Sequence, residues 1–116
     1  MALTASMIDP KTMHAVRGFL AALESRYDFA GARLFGSRTQ GTHTPTSDAD
    51  VAVFLRGRRG DFIRTALAMA DIAFDTILET GILVEPLPIW LDEWARPEVY
   101  GNPRLLQNIA REGVEL

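Results

Sequence analysis

Apolar positions along the chain follow two rhythms, one helical and one strand-like, separated by short clusters of turn-forming residues. Asp9-Pro10 supplies an N-cap and a first-turn proline. Met13, Val16, Leu20 and Leu23 follow at helical spacing, so the first helix is predicted from about Pro10 to Arg26. Ala32 to Phe35 reads as a short strand ending at Gly36, and Ser37 to Gly41 as one helical turn or a tight loop. Thr42-His43-Thr44-Pro45-Thr46-Ser47 is rich in turn formers and links the strands of a hairpin-like unit. Asp48 to Leu55 is predicted as a strand buried on much of both faces, since its apolar residues are nearly continuous after Asp50. Arg56-Gly57-Arg58-Arg59-Gly60 ends it.

The second half repeats the alternation. A long helix is predicted from about Asp61 to Thr80, with Ile63, Leu67, Ala70, Phe74 and Ile77 as its packing stripe and Gly81 as its stop. Ile82 to Trp90 is a third apolar run, and Pro86 and Pro88 place it at a sheet edge. Asn102-Pro103 caps a short helix carrying Leu105, Leu106 and Ile109, closed by Gly113. The order helix, strand, strand, helix, strand, helix predicts an α+β fold, a small mixed β-sheet backed by helices. Its 116 residues form a single domain, 1–116.

Composition narrows the function classes. Hydrophobic residues make up 47% and charged residues 23%, a globular balance that argues against a disordered tail or fibrous repeat. A net charge of −3 gives no basic footprint for a polyanion and argues against direct nucleic-acid binding. No cysteine is present, which removes disulfides, thiolate catalysis and thiolate metal sites and fits a reducing compartment. The N-terminus has no basic flank leading into an apolar core, and no apolar stretch approaches the ~20 residues that span a bilayer. The expectation is a cytoplasmic protein with no membrane contact.

The candidate chemistry lies between the first two strands. Asp48 and Asp50 flank one residue at the head of an apolar run, and period two puts both carboxylates on one strand face, where together they can hold a divalent cation. Ten residues upstream, Gly36-Ser37 ends the preceding strand and opens a helical turn, a geometry that offers backbone N–H groups to a phosphate. Alone, Gly36-Ser37 is a strand-ending turn with a helix cap. Together with Asp48-x-Asp50 it points to chemistry on a nucleoside triphosphate.

This pattern resembles the signature of the minimal, MNT-type nucleotidyltransferases of the DNA polymerase β-like superfamily. Arg38 and Gly41 add to the likeness, because the family's turn after Gly-Ser commonly carries a basic residue and then a glycine. The resemblance implies the polymerase β-like nucleotidyltransferase fold and a hydroxyl attacking the α-phosphorus of ATP while pyrophosphate leaves. It implies two Mg²⁺ ions held by Asp48 and Asp50, triphosphate contacts from Gly36 and Ser37, and a contact from Arg38 to the departing pyrophosphate. Family members often add a third carboxylate on a later strand as metal ligand or general base. Glu85, the acidic residue inside the third apolar run, is the candidate, with an edge-strand glutamate facing water as the equal alternative. Asp71 and Asp75 on the long helix stand in reserve.

Stand-alone members resemble the antitoxin of HEPN/MNT toxin–antitoxin pairs, which transfers AMP to a tyrosine of an all-α HEPN-domain ribonuclease. That makes protein AMPylation the leading expectation, with a homo- or hetero-oligomer open. A binding module that neutralises a partner by contact and an aminoglycoside-type small-molecule transferase are the alternatives. His14 reads as surface and His43 as a solvated loop residue, and neither has ligands spaced for zinc. Arg56, Arg58 and Arg59 read as a solvated cluster, and Trp90, Trp94 and Tyr100 as residues that close a small core.

Overall fold

A computed structural model describes residues 8–116. Helix α1 (Pro10–Glu24) begins where expected, because the Asp9 carboxylate accepts from the Thr12 amide at 3.0 Å and Pro10 occupies the first turn. It ends two residues early, at a Ser25 cap. Strand β1 (Phe29–Phe35) starts ahead of the expected Ala32, and an irregularity between Phe29 and Gly31 breaks the apolar rhythm that marks the remainder. Helix α2 (Ser37–Gln40) is a single turn, followed by β2 (Ala49–Leu55), α3 (Phe62–Thr80) and β3 (Val84–Trp90). Helix α4 (Leu91–Ala95), a 3₁₀ turn (Pro97–Val99), α5 (Pro103–Glu112) and β4 (Val114–Glu115) complete the chain.

The four strands form one mixed sheet in the order β3-β2-β1-β4. Strand β1 runs antiparallel to β2 and β4, while β3 runs parallel to β2 after the crossover through α3. The two prolines of β3 are tolerated because that strand is an edge. Alternation along the strands divides the core in two. On one face Leu34, Val51, Val53 and Val84 pack with Val16, Phe19 and Leu23 of α1 and Met69 and Ile72 of α3. On the other face Ala52, Phe54 and Ile89 pack with Leu106 and Ile109 of α5.

Helix α3 corrects one expectation. The side turned to the sheet carries Met69, Ile72, Ala73 and Thr76, whereas Ile63, Leu67 and Phe74 of the predicted stripe are exposed. Both faces are apolar at helical period, so periodicity by itself could not choose between them. Trp90 is buried in the larger core, and Trp94 packs on Phe54 with ring centroids 4.7 Å apart, in keeping with a core-closing role. His14 is exposed. The reading of the N-terminus concerns residues before Ile8, outside the described residues. Among the described residues no helix is long and apolar enough to cross a membrane.

Candidate active site

The antiparallel β1–β2 pair sets Phe35 opposite Asp50, and the parallel β2–β3 pair sets Glu85 beside Asp50. Asp50 therefore stands between the end of β1 and the edge strand, on the sheet face that carries Ala52, Phe54, Leu87 and Ile89. Gly36 follows Phe35 with φ 80°, a conformation that favours glycine. A Cβ added there would overlap Asp50 Oδ2, so glycine is required for space as well as for backbone geometry. Ser37 is half-buried at the start of α2. Gly-Ser turn, Asp50 and Glu85 are thus brought together, with Asp48 half-buried just before β2.

The electrostatics of this corner are those of uncompensated negative charge. Burial pushes the Asp50 carboxyl up to about 6, helped by a hydrogen bond with the Glu85 side chain and by the charges of Glu85 and Asp48. Among the described residues no cationic side chain offsets that rise. Oxygen-only donors of this kind suit a hard divalent cation. Asp50 and Glu85, with Asp48 behind them, are the residues that would hold one, although no three acidic or imidazole groups among the described residues are gathered closely enough to form a finished site. Asp71 and Asp75 are exposed on α3, whose buried side packs on the opposite face of the sheet, and do not join this group.

Space for a ligand adjoins the carboxylates. A cavity of about 370 Å³ is lined by Phe35, Asp50, Glu85, Leu87 and Leu105, with Ala66 and Ala70 of α3 on its outer side. A more apolar hollow of about 290 Å³ shares Leu87 and Leu105 and adds Phe62 and Tyr100. Burial holds the Tyr100 hydroxyl above the ordinary tyrosine range, with the charge of Glu93 adding to it.

Arg38 takes a different place from the one expected. Its side chain is buried and turned into the loop that precedes β2. Nε and Nη2 both donate to the Ser47 carbonyl, at 3.0 and 2.7 Å, and Nη2 also reaches the carbonyls of Thr44 and Pro45. Nη1 donates to the buried Thr12 hydroxyl at 2.7 Å and lies 3.7 Å from Asp9 Oδ2. With its donors engaged in this way, Arg38 anchors the loop instead of facing a pyrophosphate. Burial raises the Asp9 pKa, but hydrogen bonds from Thr12 and the charges of His43 and Arg38 outweigh it and hold the carboxyl below its ordinary value. His43 Nε2 lies 3.4 Å from Asp9 Oδ2, so this histidine belongs to the anchor and not to open solvent.

Sequence reasoning missed this Asp9–Thr12–Arg38–His43 network. Its one visible sign was a basic residue directly after Gly-Ser, which the phosphate reading absorbed. The arginine cluster is also partly structural: Arg56 pairs with Asp28 at 3.1 Å, and Arg59 lies 3.3 Å from the buried carboxylate of Glu93.

An α+β domain with a Gly-Ser turn set over an aspartate, and an acidic neighbour from a parallel strand, has the layout of a phosphate-handling domain. Residues 16–97 match the nucleotidyltransferase domain family, and the chain belongs to that family. The matched segment spans Gly36, Ser37, Asp48, Asp50 and Glu85. A crystal structure from Sulfolobus solfataricus, described provisionally as a nucleotidyltransferase, is similar at 15% identity over 76% of this chain and 81% of that one, with a TM-score of 0.47. No curated protein matches the chain at a significant level.

Proposed function

We propose that this protein is a Mg²⁺-dependent nucleotidyltransferase that moves AMP from ATP to a hydroxyl, a tyrosine of an all-α HEPN-type toxin, and so acts as its antitoxin in the cytoplasm. The observation that carries the transfer chemistry is the Asp50–Glu85 carboxylate pair beside Gly36, within a nucleotidyltransferase domain. The toxin partner and the AMPylation are inferred from the resemblance of Gly36-Ser37 and Asp48-x-Asp50 to MNT-type proteins.

In this reading Asp48, Asp50 and Glu85 would hold two divalent ions, which would supply positive charge to offset the negative charge of the triphosphate. Gly36 leaves room for the phosphates to approach the backbone, and Ser37, next in the chain, would offer them its hydroxyl. The acceptor oxygen forms its bond to the α-phosphorus as the bond to the bridging oxygen breaks and pyrophosphate departs. The acceptor proton passes to a carboxylate of the Asp50–Glu85 pair. Arg38 is a positioning residue that holds the 44–47 loop, which leads through Asp48 into β2 and Asp50.

A contact-only neutralising module is the second reading, favoured by the exposed setting of Glu85, the third carboxylate, on the edge strand. Intact-mass spectrometry separates the two. The chain, co-expressed with the product of its neighbouring gene, is incubated with ATP and Mg²⁺ beside an Asp48→Asn/Asp50→Asn double variant. Addition of AMP with the wild type and not the variant is expected. A stable complex with unchanged mass would favour the contact-only reading.

A further inference from the structure

Helix α3 leaves a complete apolar seam facing outward. Ile63, Leu67, Phe74 and Leu78 are 68%, 64%, 58% and 73% exposed, on the side away from Met69, Ile72 and Ala73. With Ala70 and the half-buried Ile77 they recur in alternating steps of four and three, the spacing of a helix–helix seam and not of scattered surface residues. We infer that this seam pairs with α3 of a second copy of the chain, antiparallel and about a two-fold axis at Ala70.

Three observations select a second copy over another occupant. First, the seam is self-complementary under reversal, which a two-fold interface demands. Run antiparallel, Leu67 falls opposite Phe74 and Ile63 opposite Ile77 and Leu78. The small Ala70 meets its own copy where the helices come closest. Second, the charged flank is complementary to itself. Arg64 and Asp75 lie on the same edge of the seam, both exposed, and pairing sets Arg64 of each copy beside Asp75 of the other. Asp71 meets its own copy near the axis, the one repulsive contact. Third, the area approaches what a two-fold interface needs: a fully exposed side chain of this size presents on the order of 200 Å², so the four large residues offer about 500 Å². Ala66, Ala70, Ile77 and the charged flank bring the face toward the ~800 Å² per partner of a stable interface. Ala66 and Ala70 also line the cavity beside Asp50, so the interface runs along one rim of each cleft.

The chain has no cysteine, which makes the test direct. Ala70→Cys should form a disulfide-linked dimer under mild oxidation. Ala68→Cys, exposed on the same helix but off the seam, should not. Light scattering of the wild type should give twice the 12.8 kDa chain mass, and Leu67→Glu/Phe74→Glu should give the single mass with unchanged circular dichroism. Asp71→Asn should tighten the dimer. A monomeric wild type at micromolar concentration, or equal cross-linking of the two cysteine variants, overturns the inference, as does a seam that is covered only in complex with a different protein. None of these readings depends on nucleotidyl transfer.

Discussion

Arg38 grips the Ser47 carbonyl with two guanidinium nitrogens, at 3.0 and 2.7 Å, one residue before Asp48. The turn that follows β1 and the strand that carries Asp50 are therefore tied through one buried side chain. Removing it leaves the carbonyls of the 44–47 loop without this donor and the Asp9 carboxylate without this neighbouring charge. Arg38→Ala is expected to lower stability by about 3 kcal/mol, seen as a lower denaturation midpoint. Arg38→Lys should recover only part, because an ammonium cannot reproduce the planar fork. A wild-type midpoint for Arg38→Ala would refute the anchoring role.

Asp50 links the site to pH. Its folded-state pKa of about 6 lies above the ordinary 3.8, so the folded chain keeps a proton that the unfolded chain releases within this window. Stability of the metal-free protein should fall as pH rises from about 4 to about 6, with the full penalty present above it. Asp50→Asn should remove the penalty and stabilise the metal-free protein near neutral pH by ~1 kcal/mol, the unscreened value being reduced for the carboxyl's access to solvent. Near pH 4 the two should match. Mg²⁺ should raise the wild-type midpoint near neutral pH and leave that of Asp50→Asn unchanged, as scanning calorimetry would show.

Gly36 and Gly41 form a controlled pair. Both have positive φ, 80° and 72°, but only at Gly36 does an added Cβ meet another group, the Asp50 carboxylate. Gly41→Ala should cost about 1–2 kcal/mol of backbone strain and retain nucleotide binding. Gly36→Ala should cost more and abolish binding by displacing Asp50. Equal ATP binding by both variants in isothermal titration would remove Gly36 from the site.

Glu93 is 1% exposed, accepts the Trp90 amide at 3.2 Å and lies 3.3 Å from Arg59. Arg59→Ala strands a buried carboxylate and should destabilise by ~2 kcal/mol, less than a fully buried pair because Arg59 is half-exposed. Arg58→Ala, in the exposed turn beside it, should be near neutral. Urea denaturation of the two variants compares them directly.

Element boundaries are legible in the sequence where a local cap decides them. Asp9, Asp61 and Asn102 each accept from the amide three residues on, and Gly81 closes α3 in the left-handed conformation. Elements without such signals were missed. Helix α4 is held by Glu93 reaching back to the Trp90 amide, and β4 is two residues paired to Arg33 and Leu34, visible only once β1 exists as a partner. The buried side of α3 is not legible in the sequence because two apolar faces compete on one helix, and the sheet selects one of them.

For the site, the sequence by itself determined the chemistry on offer: a Gly36-Ser37 pair at the end of one strand and the Asp48-x-Asp50 pair at the head of the next. Each is a local property of residue type and spacing. Tertiary structure alone decided which distant groups join them. The parallel register of β3 on β2 brought Glu85 beside Asp50, and α3 packing on the other face left Asp71 and Asp75 away from it. Burial turned Arg38 from a phosphate contact into a loop anchor, since a guanidinium enclosed among carbonyls satisfies its donors with them. Register and burial arise from contacts across long sequence separations, which no local pattern encodes.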